Sequence, residues 1–218
     1  MEMLLERIDL SEARRYAGCG QGPLPPALEQ KLLEAEAALL SGCRPRWHAV
    51  EFDLKQIPEL LVGEDLPRHL AGCQRAVLLG ATLGAEADRL LRLWQVQDMA
   101  GAVLLDGCAS AAIEQVCDRA QEQLSQQARQ RGLWLTGRFS CGYGDLPLEL
   151  QGRFVALLDA PRRLGLSVTP GGLLAPTKSV TAILGLSDTP APVQKQGCAR
   201  CAARETCPFR KRGVFCEK

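Results

Sequence analysis

The segment from Asp98 to Arg131 constrains the fold more than any other. It reads as one helix of unusual length. Its first half is rich in Ala, Gly, Ser and Cys, so a neighbouring element can approach it closely. Its second half (Gln121, Glu122, Gln123, Ser125, Gln126, Gln127) is polar and is expected to project into water. A chain of 218 residues around such a helix has room for one ordinary domain, or for one with a small appendage. With 46% hydrophobic and 23% charged residues it can bury a sizeable core. A formal net charge of +1 excludes a strongly basic nucleic-acid binder read from total charge. No apolar run approaches the ~18 residues of a membrane span. The start, Met1 to Arg7, is too acidic for a signal peptide. The cytoplasm is the expected compartment, where thiols stay reduced. Ten cysteines then suggest metal or redox chemistry, and two histidines leave imidazole little room as a ligand or base.

Around the long helix, Leu10 to Gly18 and Pro26 to Leu40 read as amphipathic helices, the first with Ser11 as its expected cap. Trp47 to Leu54 alternates as a strand does, and Ala76 to Thr82 is short and apolar, a buried strand. Glu86 to Val96 and Pro147 to Leu158 are predicted helices; Leu133 to Phe139 and Ser179 to Leu186 are predicted strands. This order gives an α+β or α/β class with a mostly antiparallel or mixed sheet.

The charge is uneven. From Lys195 to Lys218 there are seven Lys/Arg against two Glu, which leaves the rest of the chain with more acidic than basic residues. Pro190 and Pro192 precede this tail and resist helix and sheet alike. Two units are expected, a body over 1–189 and a basic, cysteine-rich tail over 190–218. In the tail, Cys198, Cys201, Cys207 and Cys216 place four thiols within nineteen residues. That donor set suits an iron–sulfur cluster or a structural zinc ion. The surrounding basic residues would offset the charge of either centre. Cys19, Cys43, Cys73, Cys108 and Cys117 sit among apolar or small neighbours and read as structural thiols. His48 and His69 read as packing or surface residues.

The densest signal in the body is Arg138-Phe139-Ser140-Cys141-Gly142-Tyr143-Gly144-Asp145. Two glycines let the backbone turn tightly, Arg138 offers a fork suited to a carboxylate, and Tyr143 offers a flat face and a hydroxyl. A zwitterionic small molecule with an aromatic ring would suit such a loop; a Gly-rich turn with a surface Arg is the plainer account. On the long helix, Ser110, Glu114 and Asp118 are four apart and share a face. The small residues around Glu114 favour its partial burial, and a buried carboxylate needs a partner. A third segment, Leu174 to Leu186, is a strand entered through a proline turn with Lys178 at its mouth.

These segments in this order resemble the reactivation domain of cobalamin-dependent methionine synthase, here as a free-standing subunit. The resemblance spans about Leu10 to Asp188. Its carriers are Ala81 to Gly84, the helix with Glu114, the Arg138-x-x-x-Gly142-Tyr143 loop and Thr177 to Ala182. It implies a C-shaped α+β body with a curved, mostly antiparallel sheet and flanking helices. It also implies binding of S-adenosylmethionine through Glu114, Arg138, Ser140, Gly142 and Tyr143. Two departures stand out: Cys141 replaces the family's usual proline, and Leu186-Ser187-Asp188 replaces the tyrosines that follow the Ser-Val strand.

The implied role is reductive rescue of cob(II)alamin, with the methyl donor held by the body and the chemistry carried by the corrinoid. No nucleophile or acid–base pair is evident, so a component of a methyltransferase system is expected rather than a self-sufficient enzyme. The implied partners are a cobalamin-binding methionine synthase subunit or another corrinoid protein, and an electron donor such as a ferredoxin or flavodoxin. Because rescue needs an electron, an iron–sulfur cluster, [4Fe–4S], is the expected tail centre, with zinc as the alternative. The competing function is a non-catalytic zinc module whose basic tail, with Phe209 and Phe215 among Arg210, Lys211 and Arg212, contacts protein or nucleic acid. Low total charge and few aromatics disfavour nucleic acid, and no membrane contact is expected.

Overall fold

The computed structural model describes residues 1–20, 22–190 and 205–206; Cys198, Cys201, Cys207 and Cys216 lie outside them. The chain runs through helices α1 (Leu10–Tyr16) and α2 (Pro26–Gly42), strand β1 (Arg46–Asp53), short helix α3 (Asp65–His69) and strand β2 (Arg75–Thr82). Helices α4 (Ala85–Gln97) and α5 (Met99–Gln130) follow, then β3 (Trp134–Leu135), α6 (Gln151–Leu157) and α7 (Ala160–Leu164). The pair β4 (Ser167–Val168) and β5 (Leu174–Ala175) leads into β6 (Ser179–Ser187). The main sheet has the order β1-β2-β6-β3 with antiparallel neighbours throughout, so the class is α+β.

Apolar cover on both faces explains why β2 reads as a continuous apolar run rather than an alternation. On one face Leu79, Ala81 and Leu184 pack with α1, α2, α4 and α5. On the other, Leu78 and Ile183 pack with Leu66, Phe154, Leu158 and Leu164. The long helix forms as its sequence suggests. Over one 18-residue window it is also apolar enough to cross a membrane, but 67% of that window is buried inside the fold. Its small residues have a specific use: a Cβ on Gly107 would come within 2.4 Å of the Ala13 carbonyl, so only glycine lets α1 lie this close.

Three expectations need correction. Asp9, not Ser11, caps α1, its carboxylate accepting from the Ser11 and Glu12 amides at 2.9 and 3.1 Å. The helix expected over Pro147 to Leu158 starts as a 3-10 turn, Leu148–Leu150, before α6. The strand expected over Leu133 to Phe139 is only two residues long, followed by an isolated bridge between Phe139 and Ile183. The reason is a bulge. Leu135 pairs with Leu186 and Phe139 with Ile183, so three residues (136–138) stand opposite two (184–185).

Candidate functional site

The bulge decides where Arg138 points. In a regular strand Leu135 and Phe139 would share a face, because the side-chain period is two. Here Leu135 packs on the α5 side and Phe139 in the opposite cluster. The extra residue inverts the alternation and turns Arg138 toward α5. Thr136 holds the irregular step: its amide donates to the Gly185 carbonyl at 2.9 Å, and its hydroxyl accepts from the Gly185 amide at 2.8 Å. His69 braces it from α3, with Nε2 2.9 Å from the Gly137 carbonyl and 3.1 Å from the Thr136 hydroxyl. Its ring stacks at a tilt on Phe139, centroids 5.2 Å apart. Burial holds the His69 imidazole below its ordinary pKa. From the sequence His69 reads only as a packing or surface residue, and the trace of the irregular step is a polar residue and a glycine inside a strand pattern.

Arg138 then meets the polar stripe of α5. Its Nη2 donates to Glu114 Oε2 at 3.1 Å and to Asp118 Oδ1 at 2.8 Å, and its Nη1 donates to Gln121 Oε1 at 3.2 Å. Burial opposes its charge, but Cys117, Asp118 and Glu114 more than offset this and the guanidinium is held more firmly protonated than usual. One turn further toward the helix start, Lys178 closes the same stripe, 2.8 Å from Asp106 Oδ1 and 2.9 Å from the Ser110 hydroxyl. The structure therefore brings Glu114 and Arg138 together, as the partial burial of Glu114 demands. It adds Asp118, Gln121, Asp106 and Lys178 to the same wall.

The loop after Arg138 is a tight, left-handed turn. Gly142 and Gly144 have φ of 85° and 53°, and the Gly142 amide donates to the Leu146 carbonyl at 2.9 Å. Ser140 is half-buried, and Tyr143 is 66% exposed with its ring free of the core. Cys141 points the other way, buried in the cluster around Phe154, and burial pushes its thiol up to about 11. It holds the loop down by packing. Asp145 anchors the loop's far side, accepting from the Glu64 and Asp65 amides at 2.6 and 3.1 Å. Beside the loop, among the described residues, β6 has no strand partner from Ser179 to Ala182 on the side away from β2.

A groove of about 360 Å³ continues from this wall along α5, lined by Asp118, Gln121, Glu122, Ser125, Gln126 and Arg129. A larger cavity of about 490 Å³, lined mainly by Met3, Leu5, Ile8, Leu39 and Leu83, lies at the N-terminal side and contains none of the polar residues discussed above. The expected structural thiols are placed accordingly. Cys43, Cys108 and Cys117 are buried and Cys19 and Cys73 half-buried, with burial raising Cys43 to about 11 and Cys108 to about 12. Among the described residues, no group of His, Cys, Asp or Glu could hold a metal ion; the four tail cysteines fall outside that set.

No family model matches the chain, and no curated protein matches it. Among solved structures it is similar to a crystal structure of the MetH reactivation domain bound to AdoHcy, with a TM-score of 0.57 and 14% sequence identity. The match covers 98% of this chain and 86% of that one. The fold of this chain, an antiparallel four-stranded sheet with flanking helices, is that of the reactivation domain.

Proposed function

We propose that the chain is an accessory module for reductive reactivation of a cobalamin-dependent methionine synthase or a related corrinoid protein. The observation that carries this reading is the meeting of Arg138 with Glu114 beside the Gly142–Tyr143 turn, on a fold shared with the reactivation domain. The partner's cob(II)alamin is the substrate: it takes one electron, then the methyl group of S-adenosylmethionine, leaving S-adenosylhomocysteine. The body's task is position rather than acid–base chemistry. Arg138 would take the ligand carboxylate and Tyr143 would offer its flat face. Ser140, Gly142 and the open edge of β6 would supply hydrogen bonds, and Glu114 would give a sulfonium a negative neighbour.

The tail completes the proposal. As a separate unit over 190–218, it would hold a metal centre on Cys198, Cys201, Cys207 and Cys216, an iron–sulfur cluster that relays the electron from a ferredoxin or flavodoxin. Its support is the density of thiols and the chemical need for an electron. The test is calorimetric titration of the anaerobically purified chain with S-adenosylmethionine, with and without a partner's cobalamin domain. Micromolar binding by a brown, iron-containing sample supports the whole reading. Binding by a colourless, zinc-containing sample would keep the body's role and remove the relay. Absence of binding in both settings would remove the body's role.

A further inference from the structure

The guanidinium of Arg138 has no free fork. Both bidentate edges of an arginine, Nε with Nη2 and Nη1 with Nη2, need a hydrogen of Nη2. Here Nη2 donates to Glu114 at 3.1 Å and to Asp118 at 2.8 Å, which uses both of its hydrogens. A ligand carboxylate can therefore dock bidentately only if one of these side chains leaves. The two differ in exposure: the Asp118 side chain is 59% exposed and the Glu114 side chain 32%. Asp118 also opens onto the 360 Å³ groove, whereas Glu114 does not line it. An incoming carboxylate meets Asp118 first, and Asp118 can swing into water at little cost.

We infer that Asp118 is a built-in competitor, a carboxylate that occupies the ligand's place on Arg138 and must be displaced when a carboxylate-bearing ligand binds. This rests on the reading of Arg138 as the carboxylate partner in the proposed function. It makes Asp118 a specificity-determining residue. Ligands with an amino-acid carboxylate are charged the cost of breaking an ion pair, and ligands without one are not.

The test compares the wild-type chain with Asp118→Ala and Asp118→Asn, titrated with two probes. S-adenosylhomocysteine carries the amino-acid carboxylate; 5′-methylthioadenosine has the same nucleoside and a thioether but no carboxylate. Alanine favours helix, so the fold is kept. The expected result is about three- to fivefold tighter S-adenosylhomocysteine binding by Asp118→Ala, the scale of a half-exposed ion pair, with 5′-methylthioadenosine unchanged. Asp118→Asn should fall between. Unchanged or weaker S-adenosylhomocysteine binding by Asp118→Ala, with the wild type binding normally, would overturn the competitor role and leave the site reading intact. An equal gain for both probes would overturn it too. Failure of every variant to bind either probe would overturn the site reading and this inference with it.

Discussion

At the scale of single residues, Arg138 is the atom-level centre of the site, because three acceptors on α5 and the proposed ligand converge on one guanidinium. Replacing it by alanine should weaken S-adenosylmethionine binding by about tenfold or more, since a charge-assisted pair is worth ~1.5–3 kcal/mol. Calorimetry checks this, with circular dichroism to confirm the fold; unchanged affinity would place the carboxylate elsewhere. Arg138→Lys should not rescue it, because one ammonium cannot serve Gln121, Glu114, Asp118 and a ligand in a single plane. The two histidines make a separate forecast. His48 and His69 are both held below their ordinary pKa, first by burial, with Arg163 and the N-terminal ammonium adding to the effect at His48. The unfolded chain therefore binds protons more avidly near the ordinary histidine value of about 6.5, so stability falls as pH drops through that region. The carboxylates with depressed pKa, Glu51 and Asp145 among them, lose their contribution only further down, below about 4.5. Thermal melts should thus show a falling midpoint between pH 7.5 and 5.5. The double variant His48→Gln, His69→Gln should flatten that slope; an unchanged slope would assign it to other groups.

At the scale of elements, glycines separate positions where close approach is required from positions where it is not. Gly107→Ala would drive a Cβ into the backbone of α1, 2.4 Å from the Ala13 carbonyl and 3.0 Å from the Ala17 amide nitrogen. Overpacking of this kind costs roughly 1–3 kcal/mol and outweighs the ~1 kcal/mol that alanine gains as a helix former. Gly152, in α6, has nothing within 4 Å of the same added atom. Gly152→Ala should therefore stabilise by about 0.5–1 kcal/mol while Gly107→Ala destabilises, and denaturant midpoints of the two variants should move in opposite directions. Equal shifts would show that α1 is not seated on α5 as described. The same contrast explains what could be read beforehand. The small-residue half of α5 announced a close neighbour, and the apolar run of β2 announced a buried strand, because composition and period encode burial directly. The bulge at 136–138 was illegible, since its cause is the Thr136 hydroxyl and a histidine 67 residues away. Local pattern sees neither, and so Arg138 could be singled out without the geometry that aims it at α5. Glu114 was reached through its small neighbours. Asp118 was seen only as part of a stripe, and Gln121 only as part of a solvent-facing run.

At the scale of the whole molecule, the question is whether body and tail are energetically separate. The body's clusters are built from residues between Leu5 and Leu186, on both faces of one sheet. Its last strand ends at Ser187, whose hydroxyl and the Thr189 amide are already bonded to each other at 3.2 Å. Among the described residues, these clusters supply the hydrophobic term that stabilises the body. Ending the chain after Thr189 should then leave the body's thermal transition within a few degrees of the full chain's and remove all bound metal. If the tail centre relays electrons, the shortened protein should also fail to support remethylation of a partner's cob(II)alamin with a ferredoxin or flavodoxin as donor. A strong chemical reductant should restore it, because the proposed methyl-donor site lies in the body. A structural zinc site predicts a different pattern: the shortened protein would lose stability or partner binding, and no reductant would repair the defect. Calorimetric melts, metal analysis and an anaerobic remethylation assay on the two chains separate these outcomes. Remethylation at the full chain's rate with the physiological donor would exclude the relay, whatever metal the four cysteines carry.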